Sequence, residues 1–280
     1  MKGMINMANF HSDEWIMSKV REHYDEALTL FPESRIIGIF LQGSQNYGLD
    51  YEGSDIDTKL IITPSFKEIC LNAKPVSTTH VRDNNEHIDL KDVRLYMDTF
   101  RKQNLNFLEI LFTPYSIINP LYQEEWEKLI KANEDIARMN EHRAVKSMKG
   151  IALEKYHAME HKYPSKLDIV EKFGYDGKQV SHLIRVYDYL NRYIAGEKYQ
   201  DCLIPTEELT SLIIDYKMLD RIPLEVARIE AKEYLNKIEK MADEFCARTP
   251  EVENSEIREL LQNVNYNIIK MASLEELRAK

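Results

Sequence analysis

The sequence predicts an α+β chain: a small mixed sheet with covering helices, joined to an all-helical C-terminal domain. Two observations carry this. Between residues 36 and 91, short apolar or alternating runs are separated by Gly, Asn and Asp clusters, the pattern of strands and turns. After about residue 115, long stretches at helical spacing take over, punctuated by Pro120, Pro164, Pro205, Pro223 and Pro250. The expected division is therefore 1–115 for the sheet-bearing domain and 116–280 for the helical one.

Residues 12–31 predict a helix, with Ser12-Asp13-Glu14 as cap and acidic first turn and Pro32 as its stop. Ile36 to Leu41 predicts a buried strand leading into Gly43-Ser44-Gln45-Asn46-Tyr47-Gly48. After Gly53-Ser54, a second strand over 56–62 carries Asp55 and Asp57. A helix is expected from near Ser65. Val76–Val81 and Glu86–Lys91 predict a hairpin around Asp83-Asn84-Asn85, followed by a helix from Asp92 to about Gln103. The helical half predicts segments over 121–133, 135–160, 176–196, 206–217, 223–247 and 254–272.

The chemistry sits in the loop and the strand after it. Strand side chains alternate, so Asp55 and Asp57 share a face with Cα atoms roughly 7 Å apart. Paired carboxylates suit divalent metal, and a two-ion site holds its ions roughly 3.5–4 Å apart. A third carboxylate is then needed from a neighbouring strand. In the alternating run Glu86-His87-Ile88-Asp89-Leu90-Lys91, Asp89 points the right way and is the expected third ligand, or the base for an attacking hydroxyl. Glu86 and Asp92 are secondary candidates at the strand ends. Gly43 allows backbone to approach a phosphate, and Ser44 adds a hydroxyl where a helix N-terminus is expected to begin. No Gly-Lys-Ser/Thr follows, so the loop is not a Walker loop. Lys59 shares the Asp55/Asp57 face; phosphate contact and a salt bridge to one of those two aspartates are both open to it. Gly-Ser beside paired acids therefore points to phosphoryl or nucleotidyl transfer.

Gly-Ser, a short interval, Ser-Asp-Ile-Asp and then a carboxylate strand resemble the nucleotidyltransferase superfamily of DNA polymerase β type. Asn104-Leu105-Asn106-Phe107-Leu108-Glu109-Ile110-Leu111 is similar to an Asn-Pro-Asn-x-Leu-Glu-Leu-Leu segment of a bacterial and phage subfamily that includes RNA-ligase-associated nucleotidyltransferases, with Leu105 at the usual proline. Gly174 to Arg185 resembles that subfamily's Tyr-Asp-x-Lys-x-x-x-His-Leu-x-Arg segment. The resemblance runs from about Ile36 past Arg185. It implies a nucleotidyltransferase core of α/β type with catalytic, metal-binding Asp55, Asp57 and Asp89. It also implies nucleotide contacts from Gly43, Ser44, Ser54, Lys178, His182 and Arg185. The expected cofactor is Mg2+, two ions, with Mn2+ able to replace it. The substrate is an NTP such as ATP, and the acceptor an RNA or tRNA end. A protein hydroxyl taking AMP or UMP is the main rival acceptor, an aminoglycoside-like small molecule the next. A non-catalytic nucleotide-binding regulator is the reading from another class.

On the expected 176–196 helix, Val180, Leu183, Tyr187, Leu190 and Ile194 make an apolar stripe, while Lys178, His182, Arg185 and Tyr189 make a second, cationic one. Arg143, Lys146 and Lys149 predict another basic edge. His142, His157 and His161 match no standard zinc spacing. A net charge of −10 argues against wrapping long nucleic acid but leaves room for a short RNA end. No run of about 18 apolar residues predicts a membrane span. Three scattered cysteines and no signal-like N-terminus make the cytoplasm the expected compartment.

Overall fold

The computed structural model of the chain describes residues 9–218 and 222–279. Two compact units divide it: one comprises the chain up to Met139 together with the chain from Glu253 on, the other is Asn140–Val252. In chain order the first unit holds α1 (Asp13–Leu30), β1 (Ile36–Gln42), β2 (Asp57–Ile62), α2 (Phe66–Cys70), β3 (Ser77–Val81), β4 (His87–Asp92), α3 (Val93–Arg101), α4 (Leu105–Leu108), β5 (Ser116–Ile118), α5 (Gln123–Lys131) and α6 (Asn133–Ala137). The second unit holds α7 (Glu141–Ala158), α8 (Leu167–Phe173), α9 (Gly177–Ile194), α10 (Tyr199–Leu203), α11 (Glu207–Lys217) and α12 (Leu224–Arg248). The last helix, α13 (Ser255–Arg278), returns to the first unit.

The sheet of the first unit runs β3-β4-β2-β1-β5. Only the β2–β4 pair is parallel; the others are antiparallel, so the sheet is mixed as the sequence predicts. Local chemistry fixes the elements around it. Ser12 accepts the Trp15 N–H at 3.2 Å and starts α1. Ser65 and Glu68 exchange side-chain and backbone bonds as a capping box on α2. Asp92 accepts the Arg94 N–H at 2.8 Å and starts α3. In β1, a Cβ on Gly38 would lie 2.9 Å from the Ile117 carbonyl oxygen, so the close approach of β5 requires glycine there.

One face of the sheet is dry. Ile16, Val20, Tyr24 and Ala27 of α1 pack on Ile39, Leu41, Leu60, Ile62, Ile88 and Leu90. Each such side chain contributes roughly 1.5–3 kcal/mol on burial, so this face anchors the register of β1, β2 and β4. The alternation of β4 (buried Ile88 and Leu90, half-buried His87, Asp89 and Lys91) follows from it. The opposite face then carries the polar residues of the same strands.

A polar network is set into the α1 side. His23 is fully buried; its Nδ1 lies 2.9 Å from the Thr58 hydroxyl and its Nε2 lies 3.0 Å from Glu86. Arg82 bonds both Glu86 at 2.5 Å and Glu26 at 2.7 Å. Burial pulls the Glu86 carboxyl up, but bonds from His23, Asn84 and Arg82 hold it below its ordinary value. An ionised Glu86 accepts from Nε2–H, which leaves Nδ1 to accept the Thr58 hydroxyl proton. Burial, opposed by the Glu86 hydrogen bond, lowers the His23 pKa. The unfolded chain then binds more protons than the folded one between the folded pKa and 6.5. Stability is full above pH 6.5 and falls as pH drops through that window. We expect urea melts from pH 7 to 5 to show a stability loss of up to about 1.4 kcal/mol per pH unit, reduced in His23→Gln. An equal slope in the variant would contradict this.

The expected division at residue 115 does not hold. β5 pairs with β1, and Trp126 of α5 packs on Phe40 with ring centroids 4.9 Å apart. α13 packs on α5, α3 and α2, burying Leu261, Val264, Ile268 and Ala272. Periodicity reveals that α13 has an apolar face, but not which core covers it. The expected helix over 135–160 is two: α6 ends at Ala137, and Asn140 restarts the chain by accepting the Arg143 N–H at 2.9 Å.

In the second unit, α9 packs against α7, α10, α11 and α12 and is buried on most of its sides. The expected cationic stripe is therefore not a solvated face. Arg185 is buried, Tyr189 is buried against Tyr193 and Tyr199, His182 is half-buried and Lys178 is exposed. The expected basic edge is neutralised. Arg143 and Lys146 meet Glu251 at 3.1 and 3.6 Å, and Lys149 meets Asp243 at 2.7 Å.

Candidate functional site

The polar face of the sheet in the first unit is built in cross-strand rows. Register places Gln42 opposite Asp57, then Phe40, Lys59, Asp89 and Thr79 in one row, and Ile61, Lys91 and Ser77 in the next. Asp57 and Asp89 therefore stand on the same face, on adjacent parallel strands, one pleat apart. The hydrophobic packing of the other face forces this, because Leu60 and Ile88 cannot turn outward without exposing the core.

The carboxylates are not bare. Asp57 Oδ1 accepts the His87 backbone N–H at 3.0 Å and lies 3.1 Å from His87 Nδ1. Asp89 Oδ2 lies 3.8 Å from Lys59 Nζ, and its Oδ1 lies 3.5 Å from the Thr79 hydroxyl. Lys59 is 3% exposed. Its ammonium donates to Gln42 Oε1 and sits 4.6 Å from the centroid of the Phe107 ring; Lys91 approaches the same ring at 4.0 Å. Burial drives the Lys59 pKa down to about 8 against the pull of Asp89, so it is still a cation at neutral pH. Burial also lowers Lys91, partly offset by Asp89. The salt bridge of Lys59 runs to Asp89 across the parallel pair, not to Asp55 or Asp57 on its own side of the loop as expected.

Asp55 differs from expectation. β2 begins at Asp57, so Asp55 lies ahead of the strand with its side chain exposed. Its place is held through its backbone: the Asp55 carbonyl accepts Gln45 Nε2 at 2.9 Å. The cause is the turn before it, where Ser54 N–H donates to the Tyr51 carbonyl and the Ser54 hydroxyl accepts the Tyr51 N–H, both at 2.9 Å. Ser54 thus has a structural bond of its own. Among the described residues no three His, Cys, Asp or Glu side chains are gathered closely enough to hold a metal ion.

The Gly-Ser loop opens not into an α-helix but into a single 3-10 turn over Ser44–Tyr47. Gly43 has φ +104° and ψ −158°, a region that side chains beyond glycine rarely enter. A Cβ there would meet only Gln45 Oε1 at 3.8 Å, so the constraint is backbone strain and not space. Asn46 ties the turn to β1 through the Leu41 carbonyl at 3.0 Å and accepts the Thr113 hydroxyl at 2.6 Å. Among the described residues the N–H groups of Ser44 and Gln45 and the Ser44 hydroxyl take no partner. Gly43→Ala is expected to cost about 1–3 kcal/mol in a urea melt. An unchanged midpoint would show that the loop relaxes.

The secondary acids are structural. Glu86 faces His23 and Arg82, and Asp92 caps α3 and pairs with Arg94 at 2.7 Å. Gln42, His87, Lys91 and Phe107 are the site residues for which the sequence reading assigned no role. Register with Asp57 and Asp89 was the available signal for the first three. Phe107 lies in the segment from Asn104 to Leu111 and reaches the face only through α4, whose start Asn104 caps by accepting the Asn106 N–H at 3.0 Å.

In the second unit, Asp176 caps α9 by accepting the Lys178 N–H at 3.0 Å. Burial first, then the nearby charges of Arg185, Lys178, Lys155 and Lys217, push the His182 pKa well below 6.5. His182 is a neutral imidazole in a cationic neighbourhood. His142, His157 and His161 gather no metal set among the described residues.

No protein-family profile matches the chain, and no curated protein matches it. Among solved structures, a nucleotidyltransferase-like protein from Exiguobacterium sibiricum 255-15 aligns over 81% of this chain and 75% of its own, at 12% identity and a TM-score of 0.28. At that TM-score the likeness decides neither fold nor activity. Among the described residues no helix is long and apolar enough to cross a membrane.

Proposed function

We propose that the chain is a nucleotidyltransferase of polymerase β type that moves a nucleoside monophosphate from an NTP to a hydroxyl acceptor and releases pyrophosphate. One observation carries the reading. Asp57 and Asp89 stand on one sheet face, on β2 and β4, and Asp57 lies opposite Gln42, the last residue of β1 before the Gly-Ser loop, an arrangement that suits a phosphate-transferring site. The donor set is all oxygen and suits Mg2+, which needs only one or two carboxylates when substrate phosphates and waters complete its shell. Asp57 and Asp55 would hold it; bound there, it neutralises charge on the phosphates.

The chain's own residues supply the rest. Gly43 frees the backbone to turn, and the Ser44 hydroxyl with the N–H groups of Ser44 and Gln45 donates to phosphate oxygens. Asp89 accepts the proton of the attacking hydroxyl and orients it. Lys178, His182 and Arg185 are proposed as nucleotide contacts of the helical unit, where exposed Lys178 has an ammonium suited to phosphate. Resemblance to RNA-ligase-associated enzymes supports an RNA or tRNA end as acceptor.

Incubation with each α-labelled NTP, Mg2+ and a cell extract split into RNA and protein fractions tests this. Label on RNA is expected. Label on a polypeptide would replace the acceptor with a protein hydroxyl, and no transfer from any NTP would overturn the reading.

A further inference from the structure

The face that holds Asp57 and Asp89 already contains a positive charge. Lys59 points along it from the same strand as Asp57, two residues on, and is buried. Its ammonium is fixed from two sides, by Gln42 Oε1 and by the Phe107 ring at 4.6 Å, and its remaining direction faces Asp89 Oδ2 at 3.8 Å. Lys91 flanks Asp89 along β4 and shares the Phe107 ring. A divalent ion shared between Asp57 and Asp89 would have to enter beside this fixed cation. Asp57, by contrast, meets only His87 among the ring and ammonium groups of its row, and Asp55 is exposed with no side-chain partner among the described residues. The acids thus fall into two sets: Asp55 with Asp57, open to an incoming ion, and Asp89, already faced by an ammonium.

We infer that Lys59 stands in for the second metal ion of the site, so that the protein takes up one divalent ion, on Asp55 and Asp57, while the Lys59 ammonium serves Asp89. The inference rests on the metal-dependent reading above and deepens it. Asp89, a metal ligand in the sequence expectation, is then an acceptor-orienting carboxylate whose position a side chain holds.

The test counts Mn2+ bound to the full chain by electron paramagnetic resonance at one fixed pH, with Mn2+ alone as the probe. The wild type is expected to bind one ion, and Asp57→Asn to lose it. Lys59→Met, which keeps the length of the side chain and removes its charge, is expected to bind two, the added ion disappearing in Lys59→Met/Asp89→Asn. Lys59→Arg keeps a charge and is expected to stay at one, which a merely structural role for the lysine would not require. Two ions on the wild type, or one on Lys59→Met, would overturn the inference and leave the metal site standing. No ion on either protein would overturn the metal-dependent reading itself.

Discussion

Asp57→Asn is expected to lower the transfer rate by on the order of 10³-fold or more while leaving the fold intact. The substitution keeps the side chain's shape and its ability to accept the His87 N–H, which lies 3.0 Å from Oδ1. It removes the negative charge that a phosphate-bound cation requires. Asp57 is half-buried at the start of β2, and the core of the sheet lies on the other face, so melting should move by less than about 1 kcal/mol. Circular dichroism melts and single-turnover transfer with labelled NTP measure the two quantities. Near-normal turnover by a folded Asp57→Asn would remove the chemical assignment.

Lys59→Met is expected to do the reverse to stability. The folded state holds this ammonium with a pKa of about 8 against an ordinary value of 10.5. Between those values the unfolded chain binds more protons, so stability rises with pH through the window from about 8 to 10.5, and the full penalty applies below it. The penalty at neutral pH is on the order of 3 kcal/mol, the desolvation of a charge that Asp89 and Asp57 only partly offset. Methionine fills the same space against Phe107 without a charge. The variant should be more stable at pH 7 by about 1–3 kcal/mol, a few degrees in melting midpoint, and should lose the alkaline slope. Transfer should fall by about 10²-fold at a metal concentration that saturates the wild type. A variant that is destabilised at pH 7 would show that the lysine packs as a structural partner.

Much of the first unit was legible in the residues. The bounds of α1 come from Ser12 and Pro32, the β3–β4 hairpin from Asp83-Asn84-Asn85, and the outward face of Asp89 from its alternation with Ile88 and Leu90. The site was legible as types on a face, not as contacts. Alternation puts Asp57, Lys59 and Asp89 together, but only the parallel pairing of β2 with β4 sets Lys59 opposite Asp89, and nothing local in the sequence states that pairing. Asp55 was misplaced because the Tyr51–Ser54 turn ends pairing one residue later than the apolar pattern suggests. α9 shows the limit of helical stripes: Lys178, His182, Arg185 and Tyr189 read as a wet face, yet four neighbouring helices enclose most of it. The boundary near 115 failed for the same reason, since periodicity does not name a helix's partner.

The return of α13 to the first unit has a consequence for synthesis. The sheet is complete once residue 118 has been made, but part of its covering layer is encoded beyond residue 254. At about 5–20 residues per second, the ribosome delivers that layer on the order of ten seconds later. Throughout that interval the nascent N-terminal part leaves the seat of Leu261, Val264 and Ile268 uncovered. α13 is thus the late-made clasp over this unit.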